Sequence, residues 1–68
     1  MNFKEFFLSL DSVSRARYAK RARTTTGYIA GHLLNRYKVP RKALMINLAK
    51  ASNGAITLQD LINFFYKG

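Results

Sequence analysis

Arg15, Arg17, Lys20, Arg21, Arg23, Arg36, Lys38, Arg41, Lys42 and Lys50 lie between Asp11 and Asp60, and no acid interrupts them. Side chains of this kind do one chemistry at neutral pH: they donate hydrogen bonds to anionic oxygens and neutralise them. The whole chain carries twelve Lys plus Arg against three acids, a formal net charge of +9 over 68 residues. A solvated helical surface ordinarily mixes signs, because Glu–Lys pairs one turn apart stabilise it and like charges repel. A one-sign middle therefore costs stability in the free protein and calls for a polyanion. Nucleic acid is the first expectation, and an anionic membrane surface comes second.

The inventory argues against an enzyme. Three acids, one histidine, no cysteine and no glycine-rich phosphate loop leave too few groups for acid–base or nucleophilic work. His32 has no carboxylate or thiol beside it in sequence, so it has little claim to a metal, and no metal, cofactor or small-molecule ligand is expected. Neither disulfides nor thiolate sites can staple so short a chain, which makes pairing of two copies a fair expectation. The beginning, Met1-Asn2-Phe3-Lys4-Glu5, is not the pattern of a secretory signal, and no stretch approaches the ~20 apolar residues of a spanning helix. A soluble cytoplasmic protein is expected.

The elements that must position these cations read as five short helices without sheet, in one domain spanning residues 1–68. The first runs over about Asn2–Leu10, with Phe3, Phe6, Phe7 and Leu10 at i, i+3, i+4 and i+7. The second follows a cap at Ser12 or Ser14 and continues to about Arg23, with Val13, Ala16, Ala19 and Ala22 along one side. Thr24-Thr25-Thr26-Gly27 then breaks the pattern, since threonine caps a helix better than it propagates one. The third helix spans about Thr26–Leu34, with Ile29, Leu33 and Ala30 as candidates to face inward. A polar loop to Pro40 precedes a fourth helix, about Arg41–Ser52, with Leu44, Leu48 and Ala51 on one face and Met45 and Ala49 beside them. Asn53-Gly54 stops it. Thr57 and Asp60 then form a capping box for a last helix striped by Leu58, Leu61, Ile62 and Phe65, with Phe64 and Tyr66 outside the stripe.

A helix with small inward residues, a turn of three or four residues and a short second helix with an Ile–Leu inner face is the helix-turn-helix pattern. The face left for base edges carries Thr25, Thr26, Gly27, Tyr28, Gly31 and His32. Each has a plain reading beside the functional one. Tyr28 either covers the core edge or meets a sugar or base, and His32 either packs on the second helix or contacts DNA. Thr25 and Thr26 either cap only or also bind phosphate. No Gln or Arg begins this helix, so sequence choice would lean on Asn35, Arg23, water or DNA shape.

The run Tyr18-Ala19-Lys20-Arg21-Ala22-Arg23-Thr24-Thr25-Thr26-Gly27-Tyr28-Ile29 resembles the helix-turn-helix of lambda-repressor-like proteins, in particular small YdaS-like and Cro-like phage or prophage regulators. Lys50-Ala51-Ser52-Asn53-Gly54-Ala55-Ile56-Thr57 resembles the segment in which those proteins leave helix four. The resemblance implies a lambda-repressor-like fold and a dimeric repressor on operator DNA. It implies that Thr25 caps the recognition helix, that Thr26, Gly27 and Tyr28 face DNA, and that Arg15 meets a phosphate. Arg36, Lys38, Arg41 and Lys42 would follow the backbone, with Arg23 and Asn35 as further phosphate contacts. This sequence departs from the pattern twice. Arg23 stands where the turn usually has glycine, at a cost of about 1 kcal/mol if that residue is left-handed. Helix three is one residue longer, which leaves the facing of Gly31, His32 and Leu34 open.

The expected partner is double-stranded DNA, bound by a homodimer whose two-fold contact uses Phe64, Tyr66 or Phe3. The rivals are an antitoxin-like or other protein-interaction module of the same fold, a cationic membrane binder, and a non-specific or RNA binder.

Overall fold

Asn2 starts the first helix by a reciprocal pair of bonds: its Oδ1 accepts the Glu5 N–H at 2.8 Å, and Glu5 Oε1 accepts the Asn2 N–H at 2.9 Å. The computed structural model describes residues 1–67, with side chains through Tyr66. Helix α1 (Phe3–Ser9) buries Phe3, Phe6 and Phe7, and Leu10 is half-buried at its end, which is the stripe its spacing predicts.

Helix α2 (Ser12–Arg21) is capped by Asp11, whose carboxylate accepts the Ser14 N–H at 2.8 Å; neither Ser12 nor Ser14 is the cap. Its inner face also differs from expectation. Ala19 and Ala22 are buried, but Ala16 is exposed and Val13 is 62% exposed. Steps of three residues fall about 60° short of a full turn each time, so Val13 and Ala22 end on opposite sides. The face that packs is Arg15, Tyr18, Ala19 and Ala22, the i, i+3, i+4, i+7 set. Tyr18 is its centre, edge-on to Phe6 at 5.1 Å between centroids and donating its hydroxyl to the Leu48 carbonyl at 2.7 Å. Burial pushes its phenol well above the usual tyrosine range.

The chain leaves α2 through a left-handed residue. Arg23 has φ 63, the Thr24 N–H reaches back to the Ala19 carbonyl at 2.9 Å, and the Arg23 N–H reaches Lys20 at 3.0 Å. This is the Schellman arrangement, which glycine ordinarily supplies. Thr25 then caps α3 (Thr26–Tyr28), its Oγ1 accepting the Tyr28 N–H at 3.1 Å. From Ile29 the helix widens into a π-helical turn, Ile29–Leu33, closed by the Leu34 N–H on the Ile29 carbonyl at 2.9 Å. Ile29, Leu33 and Leu34 are buried; Ala30, offered as an inward residue, is exposed.

A loop containing left-handed Arg36 (φ 58) and buried Pro40 leads to α4 (Lys42–Ala51). Met45, Leu48 and Ala51 face the core, and Leu44 is half-buried, so Met45 takes the inward place expected of Leu44. Asn53 (φ 54) and Gly54 (φ 93) end the helix as expected. The Thr57–Asp60 capping box opens α5 (Leu58–Ile62), which runs on as a π-helical turn, Asn63–Lys67.

The buried stripe here is Leu61, Phe64 and Phe65, with Leu58 and Ile62 half-buried. This overturns Phe64 and Phe3 as two-fold contacts. Both rings sit in the core, 5.9 Å apart, because the inward stripe is centred on Leu61 with its i+3 and i+4 neighbours. Helix α2 packs on α3 and α4, and α4 on α5. Among the described residues there is no strand, and no helix is long and apolar enough to cross a membrane.

Candidate functional site

All three acids are spent at helix starts. Glu5 closes the capping box of α1, Asp11 caps α2, and Asp60 closes the box of α5. The hydrogen bonds that Asp11 and Asp60 accept from Ser14 and Thr57 hold both carboxyls below the usual aspartate range. No acid stands at the start of α3 or α4. Arg41 occupies the N-cap of α4 and supplies no side-chain cap, so the first-turn amides of a ten-residue helix stay open. A helix start already carries partial positive charge, and here Arg41 and Lys42 add to it.

Between the α2–α3 turn and α4 lies an open groove of about 500 Å³. Arg23, Lys38 and Arg41 are its cations, Thr24, Tyr28 and Asn47 its neutral polar groups, and Val39, Pro40, Ala43 and Leu44 its apolar lining. Of the residues expected to contact an anion, the fold thus brings Arg23, Lys38 and Arg41 together, with Tyr28 on the wall. Thr24, Val39, Pro40, Ala43, Leu44 and Asn47 were not foreseen as site residues. No local signal marks them, because Val39 precedes α4 and Asn47 lies within it, and only the tertiary fold sets them opposite Arg23.

The outer face of α3 carries the other candidates. Thr25 and Thr26 stand at its start, and Thr25 does cap. Gly27 and Gly31 are exposed, and a Cβ added at either would meet nothing within 4 Å. Neither glycine is needed for packing or for backbone conformation, so each only weakens the helix. Tyr28 is half-buried on the core edge, with its ring 5.2 Å from that of His32. His32 is exposed and does not pack on α2 as one reading had it. Asn35 and Lys42 are exposed as well.

Two arginines have structural work instead. Arg15 donates from Nε to the Phe7 carbonyl at 3.2 Å and from Nη2 to the Leu8 carbonyl at 3.1 Å, closing the end of α1. Arg36 donates from Nε to the Phe64 carbonyl at 2.9 Å and lays its guanidinium 4.2 Å from the Phe64 ring centroid. That contact ties the α3–α4 loop to the C-terminal helix. Charge and position marked both residues as anion contacts; their tertiary acceptors, backbone carbonyls elsewhere in the chain, leave no trace in local sequence. At the proposed two-fold contact only Tyr66 is exposed, at 66%.

Among the described residues no group of three or more acids, histidines or cysteines converges. No family model, curated protein or solved structure matches the chain.

Proposed function

We propose that this chain is a duplex-DNA-binding module that presents the outer face of α3 to a groove and its basic turn and loop to the flanking backbone. More narrowly, the reading is a lambda-repressor-like, Cro-like regulator that acts as a dimer by occupying operator DNA. The observation that carries it is the placement of charge: every acid is engaged at the start of α1, α2 or α5, while Arg23, Lys38 and Arg41 line one groove that no acid shares. A polyanion offsets that arrangement, and duplex phosphates supply one with regular spacing.

Three further features support the class. The Thr25 cap stands where the resemblance puts it. The left-handed residue at Arg23 gives a sharp turn between two short helices. The π-helical turn at Ile29–Leu33 widens the middle of the second of these helices, a geometry frequent at functional sites. Bare helix surface at Gly27 and Gly31 lets a groove wall approach closely. With neither Gln nor Arg there, readout rests on Thr26, Tyr28, His32, water and DNA shape. The second copy would meet the first through Tyr66, with half-sites about 34 Å apart.

Selection from random duplexes followed by a salt titration tests the reading. Arg41→Ala is expected to weaken all sequences evenly, lowering the log–log salt slope by about 0.9. Thr26→Ala and Tyr28→Ala are expected to change preference at particular positions. Enrichment of no sequence, or preference untouched by both variants, contradicts the reading.

A further inference from the structure

We propose that the groove between the α2–α3 turn and α4 seats one backbone phosphate together with the sugar beside it, and that Arg23 is the principal ligand of that phosphate. The proposal rests on the duplex-binding reading above and assigns it a site.

Three observations converge on it. The groove collects three cations from three separate segments, Arg23 from the turn, Lys38 from the loop and Arg41 from the start of α4, and no acidic side chain lines it. The rest of its lining mixes apolar Val39, Pro40, Ala43 and Leu44 with the neutral polar Thr24, Tyr28 and Asn47. A groove lined by both cations and apolar side chains fits a phosphodiester and its deoxyribose better than a bare anion. At about 500 Å³ and open to solvent, it has room for a group of that size lying along its surface.

The third observation is the backbone of Arg23. At φ 63 glycine would cost nothing, and arginine is held there against its preference. The residue is exposed, so burial does not reward the choice. The left-handed residue ends α2, a task glycine would do without strain, and as arginine it also lines the groove beside Thr24, whose hydroxyl is a further donor. Strain of this kind persists where the side chain is needed at that spot. A planar, always-charged fork suits a phosphate oxygen pair.

The test separates folding from binding. Arg23→Gly and Arg23→Asn both accept a left-handed backbone, so both are expected to melt no lower than wild type, and the glycine variant higher. Both are expected to lose about tenfold or more in duplex affinity at low salt, since a charge-assisted contact is worth that much. The log–log salt slope should fall by about 0.9. Lys4→Ala, on α1, sets the effect of removing one charge elsewhere on the molecule.

Wild-type protein that binds duplex, with Arg23 variants that match Lys4→Ala in affinity and slope, overturns the groove assignment and leaves the duplex-binding reading standing. A melt below wild type for both Arg23 variants also overturns it, since the arginine would then serve the fold. Wild-type protein that binds no duplex overturns both.

Discussion

Replacing Gly27 and Gly31 by alanine should make the protein more stable and a poorer DNA binder at once. Both glycines lie on the exposed face of α3 and its π-helical continuation, and the added methyl groups meet nothing within 4 Å in the free protein. A helical Gly→Ala change of this kind gains about 0.5–1 kcal/mol, chiefly by restricting the unfolded chain. Gly31, within the helix, should give the larger share, and Gly27, in the first turn, the smaller. The double variant should gain about 1–2 kcal/mol, and each kcal/mol raises Tm by about 4–8 °C in a domain of this size. If a groove wall lies against that face, the same two methyls overpack the contact. Overpacking costs about 1–3 kcal/mol, or about 5- to 150-fold in affinity. Thermal melts by circular dichroism and duplex binding by fluorescence anisotropy read the two effects separately. A double variant that melts higher yet binds duplex as wild type does would refute the placement of the contact face. One that melts lower would refute the open space assigned to both positions.

Three further outcomes follow from particular contacts. Tyr18→Phe removes the buried bond to the Leu48 carbonyl and should cost about 1–2 kcal/mol in urea unfolding. Because burial raises the Tyr18 pKa, wild-type stability is complete below the unfolded value near 10 and declines as pH climbs toward the folded one; an alkaline titration of stability should show a shallower decline in Tyr18→Phe. Arg36→Ala should lower stability by about 1–2 kcal/mol through its contacts with Phe64, yet leave the salt slope of DNA binding nearly intact, whereas Arg41→Ala should do the reverse. Phe64→Ala should cost about 3–5 kcal/mol as a core truncation, while Tyr66→Glu should leave the melt within about 0.5 kcal/mol and shift sedimentation toward monomer.

Local rules made much of the helical layout legible. Thr25, Asn53-Gly54 and the Thr57–Asp60 box mark helix ends by bonds within three or four residues, and such bonds are written in contiguous sequence. The first stripe, Phe3–Phe6–Phe7, was legible for the same reason. The inner faces of α2 and α5 were not. Alanines three apart imitate a stripe while drifting around the helix, and Tyr18 was hidden because its worth comes from Phe6, Phe7 and Leu48, the last 30 residues away. The cations show the same division. Their number and sign are read directly, but which ones are free depends on tertiary acceptors: Arg15 and Arg36 turn to carbonyls of α1 and the C-terminal helix, while Arg23, Lys38 and Arg41 gather at one groove.

An amide NMR titration of the intact chain with a short duplex puts the whole account to one trial. Shifts should concentrate at residues 23–32 and 38–44, along α3, the basic loop and the start of α4, and should fade as salt is raised. Spectra that do not change, or changes centred on the exposed Leu8 of α1 and Val13 of α2, would contradict it.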